Sequence, residues 1–306
     1  MKHIFPETNG GWKKYDGNPV LGGPELGTCF DVLTLRNDNG YDMHFSWRPK
    51  RALALSHSKD GIGWSYPEIY MESDMECGWM DDLNRNCVLE HDGVWHMWFT
   101  GQARGYSWIG YATSPDGKSW TRVTNQPVLW SERPYEGASV MNPFVMWDEK
   151  TGFYRMWYAA GEQYEPNTLA YATSKDGLHW DKLPANPIFN GFKEFPCEQD
   201  RVGACHIISR DGWYYMFYIG YEDIDTARIC LARSRNGITA WERCPANPIV
   251  SPTPGGWDED ACYKPSVICD EENQRWLLWY NGRKGAAEYV GLVVHEGLDL
   301  GFGGAT

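Results

Sequence analysis

Several features that would place the 306-residue chain in a familiar class are missing from its sequence. It has no run of 18 apolar residues and no apolar segment near its start, so we expect neither a transmembrane helix nor a signal peptide. The nine cysteines include no Cys-x-x-Cys pair, which argues against a zinc ribbon, and their odd number argues against a disulfide framework. We therefore expect a soluble, cytoplasmic protein.

Positive charge is also scarce. The formal net charge is −13 and there is no Lys/Arg run, which disfavours binding to nucleic acid or to an anionic membrane. The eight histidines show no His-x-x-x-His spacing, so we predict neither a metal site nor a cofactor. Aromatic residues make up 15% of the chain, and an acidic surface rich in aromatic rings suits sugars. The expected partner is a carbohydrate, and the oligomeric state stays open.

What the sequence does contain is an internal repeat, which recurs at intervals of about 60 residues. The repeated phrase reads SHSKDGIGW (56–64), ATSPDGKSW (112–120), ATSKDGLHW (172–180) and ARSRNGITAW (232–241), and VVHEGLDLGF (293–302) is a degenerate fifth copy. An Asp-Gly or Asn-Gly pair is the favoured two-residue hairpin turn, because both residues must take positive φ. The phrase therefore predicts five hairpins.

Two strand-like segments precede each copy of the phrase. The second of them is aromatic (41–47, 94–101, 153–161, 213–220, 275–282), and the first is apolar (30–35, 84–90, 141–147, 203–209, 264–270). Each repeat thus predicts an inner strand, two further strands and an outer strand after the turn. The rival interpretation is a row of sandwich domains. Each of these would need about 100 residues, and the repeats here are too short for that.

We therefore predict an all-β fold, a five-bladed β-propeller with four antiparallel strands per blade. The whole chain, 1–306, would form one domain, with blades at roughly 25–70, 80–130, 136–190, 198–250 and 258–302. Trp12 precedes Asn18 by the same spacing that separates Trp180 from Asn186. We expect residues 12–20 to supply the outer strand of the last blade.

These blade phrases resemble the glycoside hydrolase superfamily that includes families 43, 32, 62, 68, 117 and 130. The resemblance covers residues 12–302 and implies three carboxylates on inner strands around a central funnel. One is a base or nucleophile in the first blade, one orients or tunes, and one is a general acid from a later blade. Such chemistry needs one protonated acid and one ionised carboxylate, so their surroundings must differ.

In the first two repeats the candidates stand near the start of an inner strand. Asp31 lies where the resemblance implies the first-blade base or nucleophile, although a strand-edge Asp can also bind a backbone N–H. Asp81 and Asp82 are adjacent and point to opposite faces of a strand, so only one faces the funnel. We take Asp82 as catalytic and Asp81 as substrate-binding. Arg85 is a candidate for binding sugar hydroxyls or holding a carboxylate ionised, and a structural ion pair is its alternative.

The fourth repeat carries the densest polar cluster, just before its inner strand. Glu198 and Asp200 share a face if this stretch is extended, and their repulsion would favour the protonated form of one, as a general acid requires. A surface salt-bridge cluster is the structural alternative. The remaining candidates for binding the sugar are Trp79, Glu136, Asn142, Arg201, His206 and Lys264.

These observations predict a glycosidase that removes a terminal sugar, furanosides included, from an oligosaccharide or glycoside. A first alternative is a family 130-like phosphorylase, in which inorganic phosphate replaces water. It would need several cations in the pocket, and the sequence offers Arg48, Arg51, Arg85, Arg201 and Lys264. A second alternative is a non-catalytic carbohydrate-binding propeller, whose function would survive mutation of the axial acids.

Overall fold

The computed structural model describes residues 3–164 and 166–303. This part of the chain contains 21 β-strands, three short 3-10 helices and no α-helix, which confirms the all-β prediction. Within the same residues no helix is long and apolar enough to cross a bilayer. The 3-10 helices are Arg48–Lys50, Pro134–Glu136 and Pro196–Glu198, and each ends shortly before a strand begins.

The strands pair antiparallel in five groups, which we call units 1 to 5. Unit 1 contains β2 (Cys29–Asn37), β3 (Gly40–Trp47), β4 (Ala52–Ser58) and β5 (Glu68–Glu72). Unit 2 contains β6 (Asp82–His91), β7 (Val94–Ala103), β8 (Tyr106–Ser114) and β9 (Thr121–Arg122). Unit 3 contains β10 (Ser139–Asp148), β11 (Phe153–Gly161), β12 (Pro166–Ser174) and β13 (Asp181–Lys182), with β14 (Phe189–Asn190) also on β12.

Units 4 and 5 complete the set. Unit 4 contains β15 (Arg201–Arg210), β16 (Trp213–Tyr221), β17 (Ala227–Ser234) and β18 (Glu242–Arg243). Unit 5 contains β19 (Ala261–Asp270), β20 (Arg275–Lys284), β21 (Ala287–Glu296) and, from the other end of the chain, β1 (Trp12–Lys14). Single parallel bridges, Ser107 to Ser139 and Ala227 to Ala261, join units 2 and 3 and units 4 and 5 into larger sheets.

The repeated turns are closed by the side chain that begins them. Asp116 and Asp176 each accept two backbone N–H groups from the residues that follow, and Asn236 does the same in unit 4. Asx side chains stabilise turns in this way, which explains why Asp and Asn are interchangeable in the repeat. The turn phrase therefore marks equivalent positions in successive units.

Buried tryptophans link neighbouring units. Trp98 of unit 2 donates its indole N–H to the Gly177 carbonyl of unit 3, at 2.8 Å. Trp157 of unit 3 bonds in the same way to unit 4 at 2.7 Å, and Trp279 of unit 5 donates to Gly61 of unit 1 at 2.9 Å. A buried indole N–H needs an acceptor, and here the acceptor is the turn of the next unit. The bond from Trp279 to Gly61 thus joins the last unit of the chain to the first.

The innermost strands are β2, β6, β10, β15 and β19, one from each unit. These five inner strands contact one another in the order β2, β6, β10, β15, β19 and back to β2. They are lined by fully buried apolar residues such as Val32, Val140 and Val202. The centre of the molecule is therefore built from one strand of each unit, and residues far apart in sequence meet there.

Candidate active site

Each inner strand has a β-bulge at an equivalent position. The register with the neighbouring strand shifts between Phe30 and Leu33, Asn84 and Asn86, Met141 and Phe144, Gly203 and Cys205, and Tyr263 and Ser266. The residues within these shifts include Asp31, Arg85, Asn142, Ala204 and Lys264. All but Arg85 have φ between 24° and 60°, which is unfavourable for a residue with a side chain. Bulges re-aim side chains and gather at active sites, so these five positions define the centre of the candidate site.

Asp31 is the only carboxylate at the five bulges, and it is fully buried. The Lys264 ammonium lies 2.8 Å from its Oδ1, and the backbone N–H of Arg85 donates to its Oδ2 at 3.1 Å. The N–H of Asp31 itself donates to Asn281 Oδ1 at 2.9 Å. The structure thus brings three of the predicted site residues together, from units 1, 2 and 5.

Two cations lie over one aromatic ring beside this carboxylate. The Arg48 guanidinium is 4.3 Å and the Lys264 ammonium 4.8 Å from the centre of the Phe30 ring. The Lys264 side chain is 14% exposed and Arg48 is exposed, whereas Asp31 is not. Stacking on a ring face favours cations in this position. The solvent-facing part of the cluster is therefore positive, in a chain of net charge −13.

Asn281 is a site residue that the sequence analysis missed. Its amide oxygen accepts the bulge N–H of unit 1, and Thr100 Oγ1 accepts the bulge N–H of Asn142 in the same way, at 2.9 Å. Both acceptors sit near the end of the second strand of the preceding unit. The available signal was a polar residue inside an otherwise apolar, aromatic strand segment.

The predicted acids of unit 2 lie at the start of β6, away from Asp31. Asp82 forms an ion pair with Arg51 at 2.9 Å, and both side chains are more than one-third exposed. Asp81 is half-buried and directly precedes the strand. In the described residues no hydrogen bond or ion pair joins either acid to Asp31. Asp82 is therefore a partly exposed, ion-paired acid at the start of β6.

Asp200 and Arg201 occupy the corresponding place in unit 4. The Asp200 carboxylate lies 2.5 Å from Arg201 Nε, and Arg201 also pairs with Glu162 of unit 3 at 3.2 Å. The Asp200 side chain is 37% exposed. Its N–H is bound to the Tyr221 carbonyl, which fixes the backbone at the strand start. Asp200 is thus a partly exposed acid, and the described residues show no direct contact between it and Asp31.

Glu136 and Glu198 belong to a structural motif that occurs in three units. An acid before the inner strand binds a tyrosine hydroxyl of the second strand and a cation of the outermost strand. The three sets are Glu136–Tyr158–Lys182, Glu198–Tyr218–Arg243 and Asp258–Tyr280–Lys14. All three acids are fully buried, and each is held by a tyrosine hydroxyl and a cation of its own unit.

Burial raises the pKa of Glu198, and the nearby Arg243 only partly opposes this effect. For Glu136 burial also raises the pKa, but backbone N–H groups and Lys182 outweigh it, so that the net shift is downward. The raised pKa of Glu198 is therefore the result of its interior position. A protonated acid is of use in catalysis only where it reaches the substrate.

Three further candidates lie inside the protein. Trp79 is 3% exposed, donates its indole N–H to the Asn125 carbonyl and stacks on Phe99 in the core. Asn142 is 4% exposed at the bulge of unit 3. Burial, and after it Arg85, lowers the pKa of His206 to about 3, so that this imidazole is neutral at ordinary pH.

His206 lines a cavity to which all five inner strands contribute. The cavity has a volume of about 480 Å³ and is bounded by residues 33–36, 87–90, 144–147, 206–208 and 267–269. In every inner strand these residues follow the bulge, so the cavity lies on the side opposite the strand starts. Its walls are mainly apolar. The bulge residues therefore lie between the strand starts, where Asp82 and Asp200 are partly exposed, and an apolar cavity farther along the strands.

Comparison with known proteins places the chain in a family. Residues 17–292 match the family model of glycosyl hydrolases family 43, and the chain belongs to this family. A solved structure of a glycoside hydrolase superposes with a TM-score of 0.76 at 15% identity, covering 91% of this chain and 90% of that one. At this identity the likeness shows a common fold.

Two relatives are similar in sequence over part of their length. The chain is 30% identical to an uncharacterised protein of Mycobacterium tuberculosis over 196 residues, which cover 61% of each chain. It is 35% identical to a 1,2-β-oligomannan phosphorylase of Thermoanaerobacter sp. over 135 residues, which cover 40% of this chain and 43% of that protein. The matched region thus spans 61% or less of either relative.

Proposed function

We propose that the five units are the blades of one five-bladed β-propeller formed by the whole chain, with four strands in each blade. The closed order of the inner strands supports this reading. So do the bond from Trp279 in unit 5 to Gly61 in unit 1 and the pairing of β1 with β21. In such an arrangement the bulges of all five inner strands meet on one axis, where a ligand contacts several blades at once.

We propose that the protein is a glycosidase that acts on an oligosaccharide or glycoside, with Asp31 as its axial base or nucleophile. The observation that carries this proposal is the position of Asp31 at the bulge of the first inner strand, with one oxygen bound to Lys264 and the other to a backbone N–H. Both contacts fix the position of the carboxylate, as a base or nucleophile in glycoside cleavage requires. Membership of family 43 supports the same activity.

We further propose that the sugar removed is terminal. Arg85, which bonds to Pro265, and Lys264, which pairs with Asp31, come from units 2 and 5 and meet beside Asp31 at the centre. We therefore expect a sugar chain to end there instead of passing through the centre. Since Asp31 has no exposed surface, the hydroxyls of a bound sugar would replace its contact with the partly exposed Lys264 ammonium. Lys264 would then bind a substrate oxygen.

For the general acid we propose Asp200, the partly exposed carboxylate at the start of β15. Replacing Asp200 with Asn should lower turnover of an alkyl or oligosaccharide substrate by about 10²–10⁴-fold, because the leaving oxygen is no longer protonated. A nitrophenyl glycoside, whose leaving group needs no proton, should be cleaved almost as fast as by the wild type. Comparing kcat/KM on the two substrates checks this.

Glu198→Gln is the matched control for Asp200→Asn. Because Glu198 is buried against Tyr218 and Arg243, its replacement should reduce stability and leave the activity ratio between the two substrates unchanged. An equal loss on both substrates in Asp200→Asn would show that Asp200 is not the acid. A substrate-dependent loss in Glu198→Gln would return that role to Glu198.

Phosphorolysis is the second candidate function, and the cations beside Asp31 favour it. Lys264 and Arg48 share the Phe30 ring and present positive charge to solvent, as binding of inorganic phosphate would require. The similarity to a 1,2-β-oligomannan phosphorylase supports the same idea. In this case phosphate would attack the anomeric carbon in place of water, and the product would be a sugar phosphate.

One assay distinguishes these functions. Nitrophenyl furanosides and pyranosides, and short oligosaccharides, are incubated with the protein with and without inorganic phosphate, and the products are identified by mass spectrometry. A glycosidase releases free sugar at a rate independent of phosphate. Sugar phosphate formed only with phosphate would establish phosphorolysis. Binding of sugars without turnover of any of them would contradict both and would favour a non-catalytic carbohydrate-binding role.

We propose a cytoplasmic location, as expected from the cysteine pattern. All nine cysteines are free thiols, and seven of them are buried. Disulfides are rare in reducing compartments, where buried cysteines behave as small apolar residues.

A further inference from the structure

Arg85 crosses the centre of the molecule beneath Asp31. It comes from unit 2, is 1% exposed, and its Nη2 donates to the Cys205 carbonyl of unit 4 at 3.2 Å and to the Pro265 carbonyl of unit 5 at 3.0 Å. Its backbone N–H donates to Asp31 of unit 1. One residue therefore links four of the five inner strands. The Arg85 side chain has almost no exposed surface, and its guanidinium donates to two backbone carbonyls.

Arg85 influences the position of both carboxylate oxygens of Asp31. Oδ2 is bound by the backbone N–H of Arg85 itself. Oδ1 is bound by Lys264, whose neighbour Pro265 is held through its carbonyl by the Arg85 guanidinium. The two groups that hold Asp31 thus both depend on Arg85, one through its backbone N–H and the other through its guanidinium.

The negative charge of Asp31 in turn stabilises the positive charge of the buried Arg85 guanidinium. Burial lowers the pKa of Arg85, and the negative charge of Asp31 is the main opposing influence. No carboxylate in the described residues forms an ion pair with the guanidinium, and its remaining partners are carbonyl groups. A buried guanidinium is costly unless it has hydrogen bonds and a nearby negative charge. Folding therefore places Asp31 and Arg85 together, and each limits the movement of the other.

We propose that Arg85 is a positioning residue, which fixes the Asp31 carboxylate and the Lys264 ammonium in the geometry required for glycoside cleavage. This inference rests on the proposed function of Asp31. Arg85 acts from beneath the site, without touching the substrate. Small displacements of a reacting group have large kinetic effects, about 10²-fold for 1 Å.

The test compares Arg85→Met with Arg85→Lys and with Arg155→Met. Arg155 is also buried and binds the hydroxyls of Tyr171 and Tyr214, so its replacement removes a buried arginine far from the inner-strand bulges. For Arg85→Met we expect kcat to fall about 10²-fold with KM unchanged. Arg85→Lys should recover part of kcat, because an ammonium can still donate to the two carbonyls. Arg155→Met should lose stability while keeping kcat.

The results separate this inference from the proposed function. If Asp31→Asn abolishes turnover while Arg85→Met has the kcat of Arg155→Met, the positioning role is overturned and the role of Asp31 stands. A rise in KM with kcat unchanged would also overturn it, since Arg85 would then bind substrate. If Arg85→Met does not fold, Arg85→Lys decides: a wild-type kcat in that variant overturns the proposal. If Asp31→Asn stays active, the proposed function fails first.

Discussion

Replacing Lys14 with Met should lower the free energy of unfolding by about 3–5 kcal/mol, the range found when one partner of a buried ion pair is removed. The Lys14 ammonium bonds to Asp258 at 2.7 Å, to the Ser251 carbonyl at 2.7 Å and to Thr253 Oγ1 at 2.8 Å. Asp258 is fully buried, so its negative charge would keep the hydrogen bond from Tyr280 but lose its only ion-pair partner among the described residues. Urea unfolding measures the difference.

Lys13→Met is the control for this prediction, because Lys13 is the exposed neighbour on the same strand. It should change the unfolding free energy little. Burial raises the pKa of Asp258, but Lys14 outweighs this and the net shift is downward from 3.8. The stability contributed by the pair is thus present above pH 3.8 and lost as the pH falls below it. Equal stability of the Lys14 and Lys13 variants at pH 7 would contradict the proposed closure of the last unit by β1.

Replacing Asp31 with Asn should reduce kcat/KM by about 10²–10⁴-fold, the usual contribution of a general base, while the protein stays folded. The amide keeps the size of the carboxylate and its hydrogen bond from Arg85, but it cannot attack an anomeric carbon or accept a proton from water. The measurement is steady-state kinetics on a substrate identified with the wild type. This loss should be independent of the leaving group, unlike that of Asp200→Asn.

Asp42→Asn is a matched control in the same unit. Asp42 lies on β3 and pairs with His57 at 2.5 Å, near the surface. Its replacement by Asn makes the same chemical change outside the candidate site, and kcat/KM should stay near the wild-type value. Activity of Asp31→Asn close to that of Asp42→Asn would exclude Asp31 as base or nucleophile and would direct attention to the acids at the strand starts.

The strands and turns could be predicted because their signals are local. An Asx-Gly turn and the alternation around it occupy fewer than ten residues, and the turn side chain binds backbone N–H groups two and three residues later, as Asp176 does. The position of residues 12–20 in the last unit could also be predicted from the sequence. Asn18 bonds to both backbone groups of Leu292, as Asn186 does to Tyr171, so the shared spacing reflects a shared contact.

The candidate site was only partly predictable because it depends on bulges and on contacts between units. A register shift decides where Arg85 points, and alternation along the strand does not reveal it. Glu198 was expected to share a strand face with Asp200, but in the structure it binds Tyr218 and Arg243. Its partners Tyr218 and Arg243 are distant in sequence, and the same arrangement around Glu136 becomes visible only when units are compared in three dimensions.

Asp31 and Lys264 were found in sequence because each stands at the same point of its repeat, near the start of an inner strand. Their ion pair was not predicted, since it joins the first and last repeats. The bulges of units 3 and 4 carry Asn142 and Ala204, neither of which has a carboxylate. With one carboxylate at the bulges, the acid has to come from the strand starts, which is why Asp200 takes that role in our proposal.

The most direct test is a crystal structure of the Asp31→Asn variant with an intact oligosaccharide that the wild type cleaves. We predict that the terminal sugar lies over the bulges, with the Lys264 ammonium and the side chain at position 31 within hydrogen-bonding distance of it. The glycosidic oxygen should face Asp200. A sugar bound in the apolar cavity around His206, or on any surface remote from Lys264, would contradict the account.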